Sequence, residues 1–280
     1  MTIKPIVVGT DGSAEALRAV EWAASEAALR GAPLRIVSVA ETLPRMTPPP
    51  HAADIETVAA HLIKERDQAL AAAASAAAAT APDLLIDTDP LDGPPAQAVT
   101  RSGSGALMLV VGSHGSSAFA AMTLGSVSRY AAVHASCPVV VVRGQATATH
   151  RLVAVGIRNP EDCGAALAFA FEEAQLRKAA LLAVHVGHSA DSHAADEQAG
   201  RTLDDLLGDW RGKYPGVDAS RDVAHGHPGR VLADVSARAD LVVLGRHGTN
   251  GGRVPGPARV IHAVVSHAHS PVVTVPPTSA

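Results

Sequence analysis

Aromatic side chains are scarce in this sequence, since Phe, Trp and Tyr make up only 2% of its 280 residues. Such a composition supplies few of the stacking surfaces on which proteins hold unpaired bases. No cluster of Lys and Arg stands out and the net charge is −4, so the basic footprint of a nucleic-acid-binding protein is missing as well. Apolar residues still account for 47% of the chain. We therefore predict a globular protein that binds no nucleic acid and has a core of Ala, Val, Leu and Ile.

Long apolar runs and cysteine motifs are also missing. No charge-free apolar stretch approaches the roughly 18 residues of a membrane span, and the opening MTIKPIVVGTDGS lacks the apolar core of a secretory signal. The two cysteines, Cys137 and Cys163, form neither a CxxC motif nor a disulfide framework. Two free thiols fit a reducing compartment, so we predict a cytoplasmic protein without membrane association.

The chain contains an internal repeat. Three pairs of segments align without gaps: 6–41 with 153–188, 93–115 with 226–248, and 136–142 with 269–275. The two copies are joined by GQATATH, a small and polar stretch of the kind found at domain boundaries. The repeat predicts two domains, 1–145 and 150–280.

Short β-branched runs alternate with helical patterns in each copy. In the first copy, helices are predicted over 14–30, 52–80, 95–103 and 125–134, and strands in IVVG, LRIVSVA, LLIDTD, ALMLVVG and PVVVV. This alternation indicates βαβ units and a parallel sheet that helices cover on both faces. We predict an α/β fold with two doubly wound, five-stranded parallel-sheet domains.

Glycines cluster after the fourth predicted strand, in the stretch LVVGSHGSSAFAAMTLGS. Gly112 and Gly115 allow a sharp turn and a close approach of the backbone to a ligand. Gly125 and Ser126 open the next helix, whose first N–H groups are typical phosphate donors. The spacing predicts a site for a di- or triphosphate, while the competing interpretation is that these glycines serve tight turns alone. The stretch is neither a P-loop nor a GxGxxG motif, so it supplies no phosphate lysine.

The Gly-xx-Gly-x9-Gly-Ser spacing, the opening VVGTDGS and the segments GPPAQAV and GHPGRVL resemble those of the universal stress protein family, over nearly the whole chain. The resemblance implies two Rossmann-like, adenine-nucleotide-binding domains with strand order 3-2-1-4-5. It implies ATP as the ligand, with Mg²⁺ as the cation that usually accompanies it. The residues it implies at the ATP site are Thr10, Asp11, Val39, Gly112, His114, Gly115, Gly125, Ser126, Val127 and Ser128.

The same resemblance implies a role for each part of that site. Asp11 would hydrogen-bond the nucleoside, and the backbone of Val39 would read the adenine edge. The loop 112–115 would line the ribose and the phosphate path, and residues 125–128 would hold the phosphates. A second interpretation makes Asp11 only the cap of the helix that follows it.

The second copy departs from this pattern. Arg158 replaces Asp11, and Ala258, followed by Arg259, stands in place of Gly125. A side chain in the place of Gly125 obstructs a phosphate, so we predict a degenerate domain with weak or no ATP binding. In the alternative, Arg259 contacts a phosphate directly.

We predict an ATP-binding stress-response regulator rather than an enzyme, because no lysine or Walker-type acid is present to clamp a transferred phosphoryl group. The alternatives are a slow ATPase and a nucleotide-free interaction scaffold. Ser126 beside His114 suggests a nucleophile and a base, but no orienting acid is placed by the sequence, so a phosphate-binding serine explains it better.

Two further predictions concern partners. The β-branched terminal strands PVVVV and PVVTV predict a homodimer that forms through sheet edges, as the family resemblance also implies. A protein partner is expected that the sequence does not name. The 14 histidines do not converge in metal-ligand spacing, so no metal site is predicted.

Overall fold

The chain folds into two compact units, Met1–Val142 and Arg143–Ala280. The computed structural model describes residues 3–41, 52–115, 124–143, 149–187, 193–246 and 256–277. Each unit contains its own parallel sheet, its own helices on both faces of that sheet and its own apolar core.

The first unit alternates strands and helices along the chain. Its elements are β1 (Ile6–Gly9), α1 (Ala14–Arg30), β2 (Leu34–Ala40), α2 (Ala52–Thr80), β3 (Ile86–Asp92), α3 (Pro95–Ser102), β4 (Met108–Gly112), α4 (Ser126–His134) and β5 (Val139–Val142). The strands pair in parallel in the order β3-β2-β1-β4-β5. The predicted α/β fold class and strand order are therefore confirmed for this unit.

The second unit repeats the first. Its elements are β6 (Leu152–Gly156), a 3-10 turn (Pro160–Asp162), α5 (Gly164–Arg177), β7 (Ala180–Gly187), α6 (His193–Lys213), β8 (Ala219–His225), α7 (Pro228–Ser236), β9 (Leu241–Gly245), α8 (Gly256–His267) and β10 (Val272–Val275). Its strands run in parallel in the order β8-β7-β6-β9-β10, which is again 3-2-1-4-5 within the unit.

Small and branched side chains build the core, as the lack of aromatics predicts. Every residue of β1, β4 and β5 is buried, because helices cover both faces of the sheet at these strands. The face of α1 that meets the sheet is lined by alanines, and Ala19, Ala23 and Ala27 are fully buried. Alanine is the best helix former and leaves little side-chain bulk, so this helix lies close to the strands.

The third strand differs from its prediction. The apolar pattern placed it at 84–89, whereas β3 spans Ile86–Asp92 and passes through Pro90. The reason is its neighbour, because β2 pairs with β3 along its whole length, from Leu34 opposite Ile86 to Ala40 opposite Asp92. Within its described unit β3 is an edge strand, and an edge tolerates a residue without an N–H.

A buried ion pair recurs at the same place in both units. Glu26 Oε1 lies 2.5 Å from Arg30 Nε on α1, and Glu173 Oε2 lies 2.8 Å from Arg177 Nε on α5. The Glu26 and Arg30 side chains are only 1% and 9% exposed. Two charges held away from water depend on each other, since either one alone pays a large desolvation cost.

Cys137 and Cys163 are both free and both buried. The thiol of Cys163 donates to the carbonyl oxygen of Pro160 over 2.9 Å. Burial raises the pKa of the Cys163 thiol above its ordinary value. Because the thiolate is the reactive form, this cysteine is protected twice, by exclusion of reagents and by its protonation.

Both thiols are expected to react with the thiol reagent DTNB near pH 8 at least about tenfold more slowly in the folded protein than in guanidinium chloride. The rate at Cys163 should increase as the pH rises toward 10, because the thiolate then forms. The variants Cys137→Ser and Cys163→Ser assign the two rates. A thiol that reacts at its unfolded rate in native buffer would contradict its burial.

Candidate functional site

The candidate site lies at the carboxyl edge of the first unit's sheet, between β1 and β4. These strands are neighbours, with Ile6 opposite Met108 and Val8 opposite Val110. The chain leaves β1 toward β2 on one side, while β4 continues toward β5 on the other. In doubly wound sheets this reversal of strand order opens a crevice in which ligands bind.

The loop after β1 is fixed by its own side chains. Thr10 Oγ1 accepts a hydrogen bond from the Gly12 N–H (3.1 Å), and Asp11 Oδ1 accepts one from the Ser13 N–H (3.0 Å). Ser13 is the N-cap of α1, and its hydroxyl accepts from the Ala16 N–H. The interpretation of Asp11 as the helix cap is therefore wrong, because Ser13 holds that position. Asp11 remains exposed at the edge of the sheet.

The two glycines after β4 lie against the loop and helix that follow β1. A Cβ at Gly112 would lie 2.9 Å from the carbonyl oxygen of Glu15, in the first turn of α1. A Cβ at Gly115 would lie 2.6 Å from Asp11 Oδ2. The structure thus brings Asp11 and Gly115 together across the crevice, and it gives Gly112 a packing reason that needs no ligand.

Gly125 has no such packing reason. Its N–H donates to the carbonyl oxygen of Ser113 over 2.9 Å, which returns the chain from the loop to the end of β4. A Cβ built on Gly125 would keep an ordinary distance of 3.4 Å from Ser113 O and 3.5 Å from Ser128 Oγ. Its φ of −59° and ψ of 152° suit any residue. Neither backbone conformation nor packing within the described residues requires glycine here.

The first turn of α4 presents one hydroxyl to solvent and keeps another for the fold. Ser126 is exposed and Val127 is half-buried, whereas Ser128 is 3% exposed. The Ser128 hydroxyl donates to the carbonyl oxygen of Gly112 over 2.6 Å, so it fastens α4 to the end of β4. The N–H groups of residues 126–128 have no acceptor within the helix, because its first hydrogen bond runs from the Arg129 N–H to Gly125 O. The positive end of the helix dipole lies at the same place.

His114 and Val39 complete the set of predicted residues. His114 is half-buried, and its Nδ1 lies 3.0 Å from Ser113 Oγ. Val39 lies near the end of β2, opposite Leu91 of β3, and is half-buried. Sequence reasoning missed Ser113, whose carbonyl and hydroxyl both organise the loop, although its place between Gly112 and His114 marked it. Residues 116–123 of the loop lie outside the described residues.

The second unit builds the same edge differently. The Ile157 N–H donates to Val184 O (2.8 Å), as Thr10 does to Val37 in the first unit (2.9 Å). However, α5 begins at Gly164, because the 3-10 turn takes the place of the first turn of α1.

The residues that correspond to Gly112 and Ser128 also make different contacts in the second unit. A Cβ at Gly245, the counterpart of Gly112, would lie 3.5 Å from the Ala166 side chain, which is an ordinary contact. Ile261 is 6% exposed where the first unit has Ser128, so the hydroxyl that fastens α4 has no counterpart in α8. Gly248, the counterpart of Gly115, lies outside the described residues.

The part of the chain that the structure describes holds neither a metal-binding cluster nor a membrane-spanning helix. No group of three or more His, Cys, Asp or Glu side chains is arranged there to hold a metal ion. Among the described helices, none combines the length and the apolar character needed to cross a membrane.

Comparison with known proteins assigns the chain to a family. The profile described as "Universal stress protein family" matches residues 2–143 and again 150–276. The universal stress protein Rv2005c of Mycobacterium tuberculosis is 34% identical over 286 residues, which cover 96% of this chain and 95% of that protein.

One of the similar solved structures shows the same architecture over nearly the whole chain. A crystal structure of a universal stress protein from Archaeoglobus fulgidus superposes with a TM-score of 0.76 at 17% identity, over 98% of this chain and 96% of that one. A universal stress protein in complex with cAMP aligns with 51% of this chain and 99% of its own, at 29% identity and a TM-score of 0.39. Because the family profile matches both repeats and the relative matches nearly end to end, the chain belongs to the universal stress protein family, as a tandem-domain member.

Proposed function

We propose that the first unit binds ATP at the crevice between β1 and β4, and that the chain acts as an ATP-binding stress-response regulator. The observation that carries this proposal is Gly125. It lies before the first turn of α4, beside the exposed Ser126, and the described residues give no structural reason for the missing side chain. A phosphate that approaches the helix N-terminus supplies that reason.

The phosphates would accept hydrogen bonds from the N–H groups of residues 126–128 and from the Ser126 hydroxyl. Ser128 would contribute through its N–H alone, because its hydroxyl already donates to Gly112. Asp11 Oδ2 faces Gly115, and a carboxylate is a suitable acceptor for a nucleoside hydroxyl. Thr10 would hold the loop in place, while the Val39 backbone would meet the adenine.

The remaining residues would line the path between base and phosphates. Gly112 and Gly115 keep this path free of side chains, and His114 flanks it. Mg²⁺ would accompany the phosphates, as it commonly does with ATP. The described edge offers no lysine among these residues, so binding rather than turnover is the expected chemistry.

Regulation would follow from a nucleotide that changes the contacts of the chain with a partner. The cytoplasmic location, the protein partner and the homodimer through terminal strands stay predictions. The nucleotide-free scaffold is the competing function, and it differs by one measurable property, which is the absence of bound nucleotide.

Replacing Asp11 by Ala is expected to weaken ATP binding by at least about tenfold, because a nucleoside hydroxyl then loses its charged acceptor. Isothermal titration of the full chain with ATP measures the affinity, and native mass spectrometry counts the nucleotides. We expect one ATP per chain in the wild type, with AMP and cAMP as competitors in the same titration.

Asp83→Ala is the matched control for this test. Asp83 is an exposed carboxylate between α2 and β3, at the opposite edge of the same sheet. It should bind ATP as the wild type does. Unchanged affinity in Asp11→Ala removes Asp11 from the site, and a wild type that binds no ATP favours the scaffold.

A further inference from the structure

Arginine replaces acidic and hydroxyl side chains at the ligand edge of the second unit. In the aligned repeats, Arg158 corresponds to Asp11, and Arg259 corresponds to Ser126. Arg246 likewise corresponds to Ser113. All three exchanges add positive charge to the same edge of the sheet, so the second unit has not simply lost a motif.

The fold places these arginines on elements that end at one edge. Gly156 of β6 lies opposite Leu244 of β9, and two residues beyond each stand Arg158 and Arg246. The Arg246 N–H donates to Val275 O over 2.7 Å, which fixes its backbone to β10. Arg259 lies in the first turns of α8, the helix that follows β9, where the positive end of the helix dipole adds to its charge.

Two of the three arginines are available to a ligand. Arg158 and Arg259 are exposed, and neither belongs to an ion pair or side-chain hydrogen bond within the described residues. Arg246 is 9% exposed and already interacts with other groups, so binding is assigned to the first two. The acids next along the chain are Glu161 and Asp162 on the 3-10 turn, and the sequence 247–255 adds no Asp or Glu.

The ends of β6 and β7 carry different side chains from those at the ends of β1 and β2 in the first unit. His185 stands where the first unit has Ser38, and its Nδ1 lies 3.0 Å from the carbonyl oxygen of Ile157. This side chain bridges the ends of β6 and β7. The acceptor that Asp11 offers to a nucleoside is replaced by Arg158, a donor.

We propose that the second unit binds a polyphosphate chain of two or more linked phosphates, through Arg158 and Arg259, without recognising a base. A guanidinium group presents paired N–H donors that match phosphate oxygens. Two such groups on separate segments match an anion that carries several phosphates. The tandem chain would then bind two ligands, a nucleotide in one unit and a phosphate chain in the other.

Inorganic triphosphate is the probe for this site. The full chain is dialysed to equilibrium against it at low salt, and bound triphosphate is counted per chain. The double variant Arg158→Ala/Arg259→Ala is expected to bind one triphosphate fewer than the wild type. A Trp22→Phe background lets the fluorescence of Trp210, which lies on α6, monitor the folding of the second unit alone.

Arg238→Ala serves as the matched control. Arg238 is an exposed arginine between α7 and β9, at the opposite edge of the same sheet, and its variant should bind as much triphosphate as the wild type. An equal count in the double variant and the wild type overturns the proposal, as does a wild type that binds no triphosphate. Either failure leaves the ATP test at Asp11 untouched, since that test uses another unit and another ligand.

Discussion

Replacing Glu26 by Ala is expected to lower the free energy of unfolding of the first unit by about 3–5 kcal/mol. The side chains of Glu26 and Arg30 are 1% and 9% exposed, and their charged atoms lie 2.5 Å apart. Removal of the carboxylate leaves a guanidinium group in a site that excludes water. A charge without its partner there costs more than the intact pair contributes, because desolvation is no longer offset.

Glu15→Ala is the matched control on the same helix. Glu15 pairs with Arg18 over 2.9 Å, but their side chains are 36% and 38% exposed, so solvent screens this pair. Its loss, with the favourable position of an acid in the first turn of α1, should cost about 1 kcal/mol or less. The contrast between the two variants therefore isolates burial, because both delete a glutamate that pairs with an arginine on α1.

The two tryptophans of the chain make the measurement specific to one unit. Trp22 lies on α1 and Trp210 lies on α6. In a Trp210→Phe background, urea unfolding followed by fluorescence reports the first unit alone. Equal losses in Glu26→Ala and Glu15→Ala would show that the Glu26–Arg30 pair is not held away from water.

The repeat and its alternating pattern were sufficient to predict the α/β fold class and most elements, because each element carries a local signal, whereas the strand order came from the family resemblance. Gly31, at φ 61°, ends α1 where the pattern ended, and the alanine-rich stretch 52–80 forms α2 over its predicted span. The end of β3 could not be predicted from the residues of that strand alone. It depends on the length of β2, which is a property of the neighbouring strand.

The sequence predicts which residues form the candidate site, but it does not predict the contacts that each of them makes in the fold. Spacing selected Gly112 and Gly125 and the family resemblance added Ser128, yet contacts between distant segments give each a different structural role. Gly112 packs on α1 and Ser128 fastens α4 to β4, whereas the described residues give Gly125 no packing reason. The buried Glu26–Arg30 pair is detectable in the sequence, because the same Glu and Arg recur at aligned positions in both copies.

These contacts predict that an alanine substitution lowers stability at Gly112 but lowers ATP affinity at Gly125. In Gly112→Ala, the new Cβ would lie 2.9 Å from Glu15 O and 3.2 Å from Ala16 N, which are backbone atoms that cannot turn away. The first turn of α1 must shift, so we expect a loss of about 1–3 kcal/mol in the stability of the first unit.

Gly125→Ala should leave stability within about 0.5 kcal/mol of the wild type, since its Cβ comes no closer than 3.4 Å to any described atom. It should nevertheless weaken ATP binding by at least about tenfold, which is about 1.4 kcal/mol. The added methyl group stands before the N–H groups of residues 126–128, where a phosphate would otherwise approach. Urea unfolding measures the first quantity and titration with ATP the second.

Gly164→Ala controls for the substitution itself. Gly164 is the first residue of α5, and no described atom lies within 4 Å of its built Cβ, so neither stability nor ATP affinity should fall. If Gly125→Ala keeps full ATP affinity, the phosphates do not lie at the start of α4 and the proposed site is wrong. If it instead destabilises the unit as Gly112→Ala does, Gly125 is required for folding, and the argument that singles it out for a ligand fails.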